Sequence, residues 1–206
     1  MSANDKTSVG QGREDWRTPG DLFDRLNDLY AFNYDACADH SNALCDRYST
    51  VAGTFVRGVP FSDPPTPHKV SDADALAYDW RALRVFINPP YCDSENPCRM
   101  RGDVYTCDKA RCRNRGYHID EYKPGIVDFA AKCAAERNNA RIIVGVFPAA
   151  TDTNWWHDYI APCAVTHFLR GRVRFINPVT GEPGDSPPGG MAIVVWLPDW
   201  LSKGAQ

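Results

Sequence analysis

Val85-Phe86-Ile87 running directly into Asn88-Pro89-Pro90-Tyr91 constrains this chain more than any other stretch. The three apolar residues predict a short buried strand. The tandem prolines end it, because proline has no N–H for a ladder and disfavours helix in the residue before it. Further on, Ile126, Val127, Phe129, Ala130, Cys133 and Ala134 recur at helical spacing within 125–139, and 142–147 is an apolar run suited to a strand buried on both faces. Strand, helix, strand in that order implies a parallel sheet, so an α/β fold is expected.

Other segments supply flanking elements. Thr18-Pro19 opens an expected helix, with the threonine hydroxyl at the cap and Leu22, Phe23, Leu26, Leu29 and Tyr30 along one face. Residues 31–38 read as a strand ending at Asp35-Ala36-Cys37-Ala38-Asp39. Prolines 60, 64, 65 and 67 make 50–71 an expected loop. A short helix over 152–160 and strands over 164–169, 173–176 and 192–197 complete the pattern, with breaks at Gly171 and 178–190. Residues 1–15 read as a polar tail, 16–206 as one domain and 92–118 as a compact insertion within it.

With 206 residues, 43% of them hydrophobic and 24% charged, the chain can bury a core, which excludes a wholly disordered or fibrous protein. The 23 Lys and Arg against 26 Asp and Glu give −3, so bulk charge alone argues for no nucleic-acid partner. No apolar run approaches the roughly 20 residues that span a bilayer, and no secretion signal is read at the start, so no membrane partner and a cytoplasmic location are expected. In that compartment thiols stay reduced, and metal binding is the better use for clustered cysteines. Cys37, Cys45, Cys133 and Cys163 are scattered among apolar neighbours and read as core.

In open parallel sheets, ligands bind outside the carboxyl ends of the strands, where Asp35 and Asn88-Pro89-Pro90-Tyr91 both fall. The second group offers an amide oxygen, a Pro89 carbonyl with no strand partner, the rigid turn of Pro89 and Pro90, and an aromatic face. Asn88 Oδ1 and the Pro89 carbonyl can each accept one N–H of a planar exocyclic amine, freeing its lone pair to attack an electrophilic methyl. Tyr91 would stack on the ring, worth about 1–3 kcal/mol by analogy with base stacking on aromatics. The bland alternative is a polyproline turn or peptide-like motif on a loop, which leaves the preceding buried strand unexplained. Asp35 can hold a cofactor ammonium or ribose hydroxyl, or simply cap a helix.

The residues around these positions resemble the phage-type DNA N6-adenine methyltransferase family, sometimes called Dam-like. The matching pieces are Asp15-Trp16-Arg17-Thr18-Pro19, Tyr34-Asp35-Ala36-Cys37-Ala38, 42–48, Asp74-Ala75-Leu76 with Trp80, Asn88-Pro89-Pro90-Tyr91, 148–156 and 171–175. The resemblance implies a Rossmann-like S-adenosylmethionine-dependent methyltransferase sheet, adenine N6 in DNA as acceptor, and a bacterial or phage-infected cell. It gives Asn88, Pro89, Pro90 and Tyr91 the catalytic positions, and Trp16, Thr18, Pro19, Asp35 and Cys37 the cofactor. Asp46, Asp74 and Asp79 compete for its ribose and adenine. Where such enzymes often carry a glycine-rich turn after the first strand, this chain has Ala38-Asp39.

Cys92, Cys98, Cys107 and Cys112 fall within 21 residues and could hold a tetrahedral structural zinc, with His118 as an alternative ligand or the thiols left unliganded. Between 99 and 118, six Lys and Arg stand against Asp103 and Asp108, giving +4 where the remaining chain carries −7. Arginine forks suit phosphates and guanine edges, so the insert is expected to grip DNA, with Arg170, Arg172 and Arg174 as a second contact. A charged loop that is merely solvated is the plain alternative. Two rival functions remain open: transfer to guanine N2 in RNA or to a protein glutamine, and a non-catalytic zinc module that binds nucleic acid.

Overall fold

The computed structural model describes residues 16–57, 67–184 and 189–202. In chain order the elements are α1 (Gly20–Tyr30), β1 (Tyr34–Asp35), β2 (Arg47–Thr50), β3 (Gly53–Val56), β4 (His68–Ser71), β5 (Arg84–Ile87), β6 (Met100–Arg101) and β7 (Val104–Tyr105). There follow α2 (Ala110–Arg115), α3 (Ile126–Glu136), β8 (Ile142–Pro148), α4 (Asn154–Tyr159), β9 (Ala164–Phe168), β10 (Met191–Trp196) and α5 (Asp199–Ser202). Eight strands make one sheet in the order β4-β3-β2-β1-β5-β8-β10-β9, and β6 pairs only with β7. The central strands β2, β1, β5 and β8 are parallel, and antiparallel strands flank them on both sides. The expected α/β class holds, and the sheet is a mixed one of the Rossmann-like kind. From β1 the chain steps to β2 on one side and later returns to β5 on the other, which makes the end of β1 a topological switch point.

Alternation along the strands builds two cores. Phe86, Val144, Val146, Ile193 and Val195 face α1, where Phe23 and Leu26 are buried. Val85, Ile87, Ile143 and Phe147 point the opposite way, into a larger cluster with Phe129 and Cys133 of α3, Trp156 of α4, and Trp80 and Trp196. Helices therefore cover both faces, as parallel strands require. Beneath the switch point a buried polar chain ties the parallel and antiparallel halves together. Tyr34 Oη lies 2.6 Å from Ser49 Oγ, which lies 2.6 Å from Thr54 Oγ1, which donates to the Ala73 carbonyl at 2.8 Å.

Several boundaries differ from the sequence reading, each for a local reason. Pro19, not Thr18, caps α1: its carbonyl accepts the N–H of Leu22 and Phe23 at 3.2 and 3.1 Å, and the helix has no side-chain cap. The strand expected over 31–38 shrinks to two residues, since Ala31 is the left-handed end of α1 (φ 50°) and the Asp35 carboxylate takes the next amides. Residues 50–71, expected as loop, contain β3 and β4, which extend the sheet through the turn at Val51-Ala52; prolines 60, 64 and 65 lie outside the described residues. Residues 173–176 form no strand, and Ile176 makes single bridges to Arg17 and Pro183. The expected tail, 1–15, also lies outside the described residues. Among those described, no helix is long and apolar enough to cross a membrane.

Candidate active site

At the carboxyl ends of β1, β2 and β5 a cavity of about 650 Å³ opens, within the usual range of roughly 300–1,000 Å³ for ligand sites. Its walls come from Trp16, Arg17 and Thr18, from 35–39 and 41–44 after β1, from 49–51 at the end of β2, from Asp74-Ala75-Leu76, and from Asn88 and Pro90 after β5. Lys123, Pro124, Phe129 and Ile176 complete the lining. Arg17 and Ile176 exchange both main-chain hydrogen bonds, at 3.0 and 2.9 Å, which pins the 16–18 segment over the opening.

Of the residues expected at the cofactor, the structure brings Trp16, Thr18, Asp35 and Cys37 to this cavity and leaves Pro19 out of its walls, at the helix cap. Asp35 is 2% exposed, and its two oxygens accept the N–H of Cys37 at 3.3 Å and of Leu44 at 3.0 Å. Burial lifts this carboxyl to about 6, and those two amides pull the other way. Burial likewise raises the Cys37 thiol, with the Asp35 charge adding to it. Of the three competing aspartates, Asp74 alone reaches the cavity. Its Oδ1 accepts the amides of Leu76 and Ala77, both at 3.0 Å, while Asp79 pairs with Arg81.

In place of a glycine-rich turn, the chain folds around Asp39, whose Oδ1 accepts from Ser41 N, Ser41 Oγ and Asn42 N at 2.6, 2.6 and 3.1 Å. This Asx-type loop delivers the Leu44 amide to Asp35. Sequence reasoning missed it as a cavity wall, although Asp39, Ser41 and Asn42 are the residues that nucleate such turns.

The four residues after β5 divide. Asn88 and Pro90 face the cavity, Pro89 is buried, and Tyr91 is not among the lining residues. The Tyr91 ring packs between the two cores, with its edge toward Phe175 at 6.0 Å between centroids. Its hydroxyl faces Asn88 Oδ1 at 2.5 Å and the Val146 carbonyl at 2.9 Å. One phenol proton serves two oxygens, so Asn88 Oδ1 keeps capacity for a second donor. Tyr91, expected to stack on the base, thus does not line the cavity in this arrangement.

The insert begins beside the cavity. The Cys92 carbonyl accepts the Ile126 N–H at 2.9 Å, and Gly125 lies so close to the main chain of 92–94 that a Cβ would overlap it. Ser94 Oγ donates to Asp128 at 2.5 Å. Cys98, Cys107 and Cys112 converge with His118 into a group that could hold a metal ion. Cys92, expected as the fourth ligand, stands outside that group, and His118, the alternative ligand, stands within it.

Helices on both faces of a mostly parallel sheet, and a ligand-sized cavity at the switch point with a proline-locked amide on its wall, define a nucleotide-type α/β enzyme. The chain belongs to the DNA N-6-adenine-methyltransferase (Dam) family, whose model matches residues 68–203. Its activity class is therefore DNA adenine methylation, with DNA as the substrate. The match starts at β4, so β1 with Asp35 and the 16–18 segment lie before it. No curated protein and no solved structure matches the chain.

Proposed function

We propose that the chain transfers a methyl group from S-adenosylmethionine to N6 of an adenine turned out of DNA. The observation that carries this reading is the switch-point cavity, lined by the Asn88 amide and by Asp35, a buried carboxylate with no cationic partner among the described residues. That donor set suits the cofactor: Asp35 is placed for its ammonium or ribose hydroxyls, Asp74 for a second polar contact, and Trp16, Thr18 and Cys37 for the adenosyl body. When bound, the cofactor supplies an electrophilic methyl on a sulfonium, whose sulfur keeps the electron pair of the broken C–S bond.

The remaining chemistry belongs to the protein and the acceptor. Asn88 Oδ1 and the Pro89 carbonyl each accept an N–H from the adenine amine, which localises its lone pair on nitrogen and aims it at the methyl. The nitrogen forms the new bond and releases its proton to water, so no general base is needed. Tyr91 is a positioning residue in this arrangement, since its hydroxyl holds the Asn88 amide. A base inside a duplex cannot reach this cavity, hence the extrusion, as base-modifying enzymes require.

Incubation with labelled S-adenosylmethionine and duplex DNA, followed by nucleoside analysis, tests the reading. N6-methyladenine is the expected product. Asn88→Ala should lose at least about 100-fold in transfer, the usual worth of a preorganised polar contact at the reacting atoms, while still binding S-adenosylhomocysteine. Transfer by Asn88→Ala at the parent rate, or label recovered in RNA guanine or in protein, would overturn it.

A further inference from the structure

From Cys98 to His118 the chain forms a knuckle with no core of its own. The β6–β7 hairpin comes first, then α2, closed by Gly116 in the left-handed conformation (φ 80°) that directs the chain back toward the cysteines. Its larger apolar side chains, Met100, Val104 and Tyr117, are 51%, 67% and 60% exposed. Hydrophobic burial cannot hold such a segment, yet Cys98 and Cys112 are buried at its centre.

The donor atoms of Cys98, Cys107, Cys112 and His118 all lie within 4.8 Å of one another. Cys112 Sγ is 3.4 Å from Cys98 Sγ and 3.6 Å from Cys107 Sγ. A disulfide would require about 2.05 Å, whereas two thiolates sharing one tetrahedral zinc, at about 2.3 Å each, stand about 3.8 Å apart. The observed separations exclude a disulfide and lie within a few tenths of an ångström of the coordinated spacing. His118 adds to this: its imidazole lies against the Cys98 thiol, its Nδ1 is buried with no geometric hydrogen-bond partner among the described residues, and its ring stacks on Tyr105 at 4.4 Å.

We propose that Cys98, Cys107, Cys112 and His118 bind one zinc ion, and that the ion braces the cavity wall through Arg115, Glu95 and Lys123. Three thiolates and one imidazole close the tetrahedron, leaving no open position, which makes the site structural. Zinc with three thiolates carries a net −1, and Arg115 answers it by donating from Nη2 to Cys112 Sγ at 3.5 Å. The Nη1 of the same guanidinium donates to both Glu95 oxygens, at 3.1 and 3.0 Å. Glu95 in turn exchanges both main-chain hydrogen bonds with Lys123, at 2.8 and 2.9 Å, and Lys123 with Pro124 lines the cavity. The Cys98 N–H donates to the Ile119 carbonyl at 2.8 Å, so both arms of the knuckle run back to the same wall.

Elemental analysis of untagged protein purified without chelator should find close to one zinc per chain. Exchange into Co²⁺ should give the visible absorption of a tetrahedral thiolate site. Cys92→Ser should keep the parent's metal content, and Cys107→Ser and His118→Ala should lose it; His118→Cys should retain it, which separates ligand loss from misfolding. Chelation of the folded parent should speed hydrogen exchange across 93–98 and 119–124 and leave β8 protected. None of these readouts depends on methyl transfer. A zinc content near zero with no cobalt uptake, or a Cys92→Ser protein as metal-free as Cys107→Ser, overturns the site. Exchange rates unchanged by chelation overturn the brace.

Discussion

Replacing Asp35 with Asn isolates the buried charge in the lining of the cavity. Folding raises the carboxyl from 3.8 to about 6 through burial. Between those values the native chain holds a proton that the unfolded chain has released, so native stability falls as pH climbs across the window. At pH 8 the whole gap is in force: about 2.2 pH units at roughly 1.36 kcal/mol each, or about 3 kcal/mol of destabilisation from one ionised side chain. At pH 4.5 only about 1 kcal/mol of it remains. The asparagine offers one oxygen to two amides, those of Cys37 and Leu44, and losing one of these bonds costs about 1 kcal/mol.

Asp35→Asn should therefore be about 1–2 kcal/mol more stable than the parent at pH 8 and nearly equal to it at pH 4.5, so the difference closes by about 2 kcal/mol. Urea unfolding of cofactor-free protein at the two pH values measures this. With S-adenosylhomocysteine present the order reverses at pH 8, because the parent gains a cation for its buried carboxylate and the variant does not. The parent's affinity for this ligand should weaken as pH drops through about 6. A variant less stable than the parent by the same amount at both pH values refutes the reasoning, since Asp35 would then carry no burial penalty for a ligand to relieve.

Tyr91→Phe preserves the packing against Phe175 and removes both hydroxyl contacts; denaturation should record a loss of about 1–2 kcal/mol, and single-turnover kinetics a fall in kcat larger than any change in KM. Asp74→Ala should weaken S-adenosylhomocysteine binding about tenfold by calorimetry, the usual worth of one hydrogen bond to a charged group, and leave the fold intact. The double change Arg99→Ala with Arg101→Ala should lower the slope of log K against log salt for DNA binding by about 2, with cofactor affinity unchanged.

Two of the central parallel strands, β5 and β8, and the helix between them were legible because their signals are local. Val85 to Ile87, 142–147 and the face of α3 each declare their period within a dozen residues. So was the place of the cavity, since the prolines after Ile87 end a strand on one of its walls. What the sequence hid depends on distant partners. β3 and β4 are four residues each, too short for a period to stand out, and exist because Arg47 to Thr50 gives β3 an edge to pair with and β3 gives one to β4. Asp74 could not be ranked above Asp46 and Asp79 until the buried chain from Tyr34 to the Ala73 carbonyl fixed its loop against the cavity. His118 and Cys92 could not be separated by spacing, because which side chain falls beside Cys98, Cys107 and Cys112 depends on how the whole insert folds.

The cationic excess of the insert illustrates the same limit in electrostatics. Counted over 99–118 it is +4, but Arg111 and Arg115 both reach upstream to Asp93 and Glu95. Starting the count at 93 halves the excess to +2. Glu95 is buried, and the two guanidiniums, above all Arg115, hold its carboxyl below the ordinary range against the opposing pull of burial. Those arginines therefore serve Glu95, whose main chain pairs with Lys123 of the cavity wall, and removing Arg115 would take from a buried carboxylate its nearer partner. Arg99 and Arg101 on the hairpin, and Lys109 before α2, are exposed and remain for phosphates.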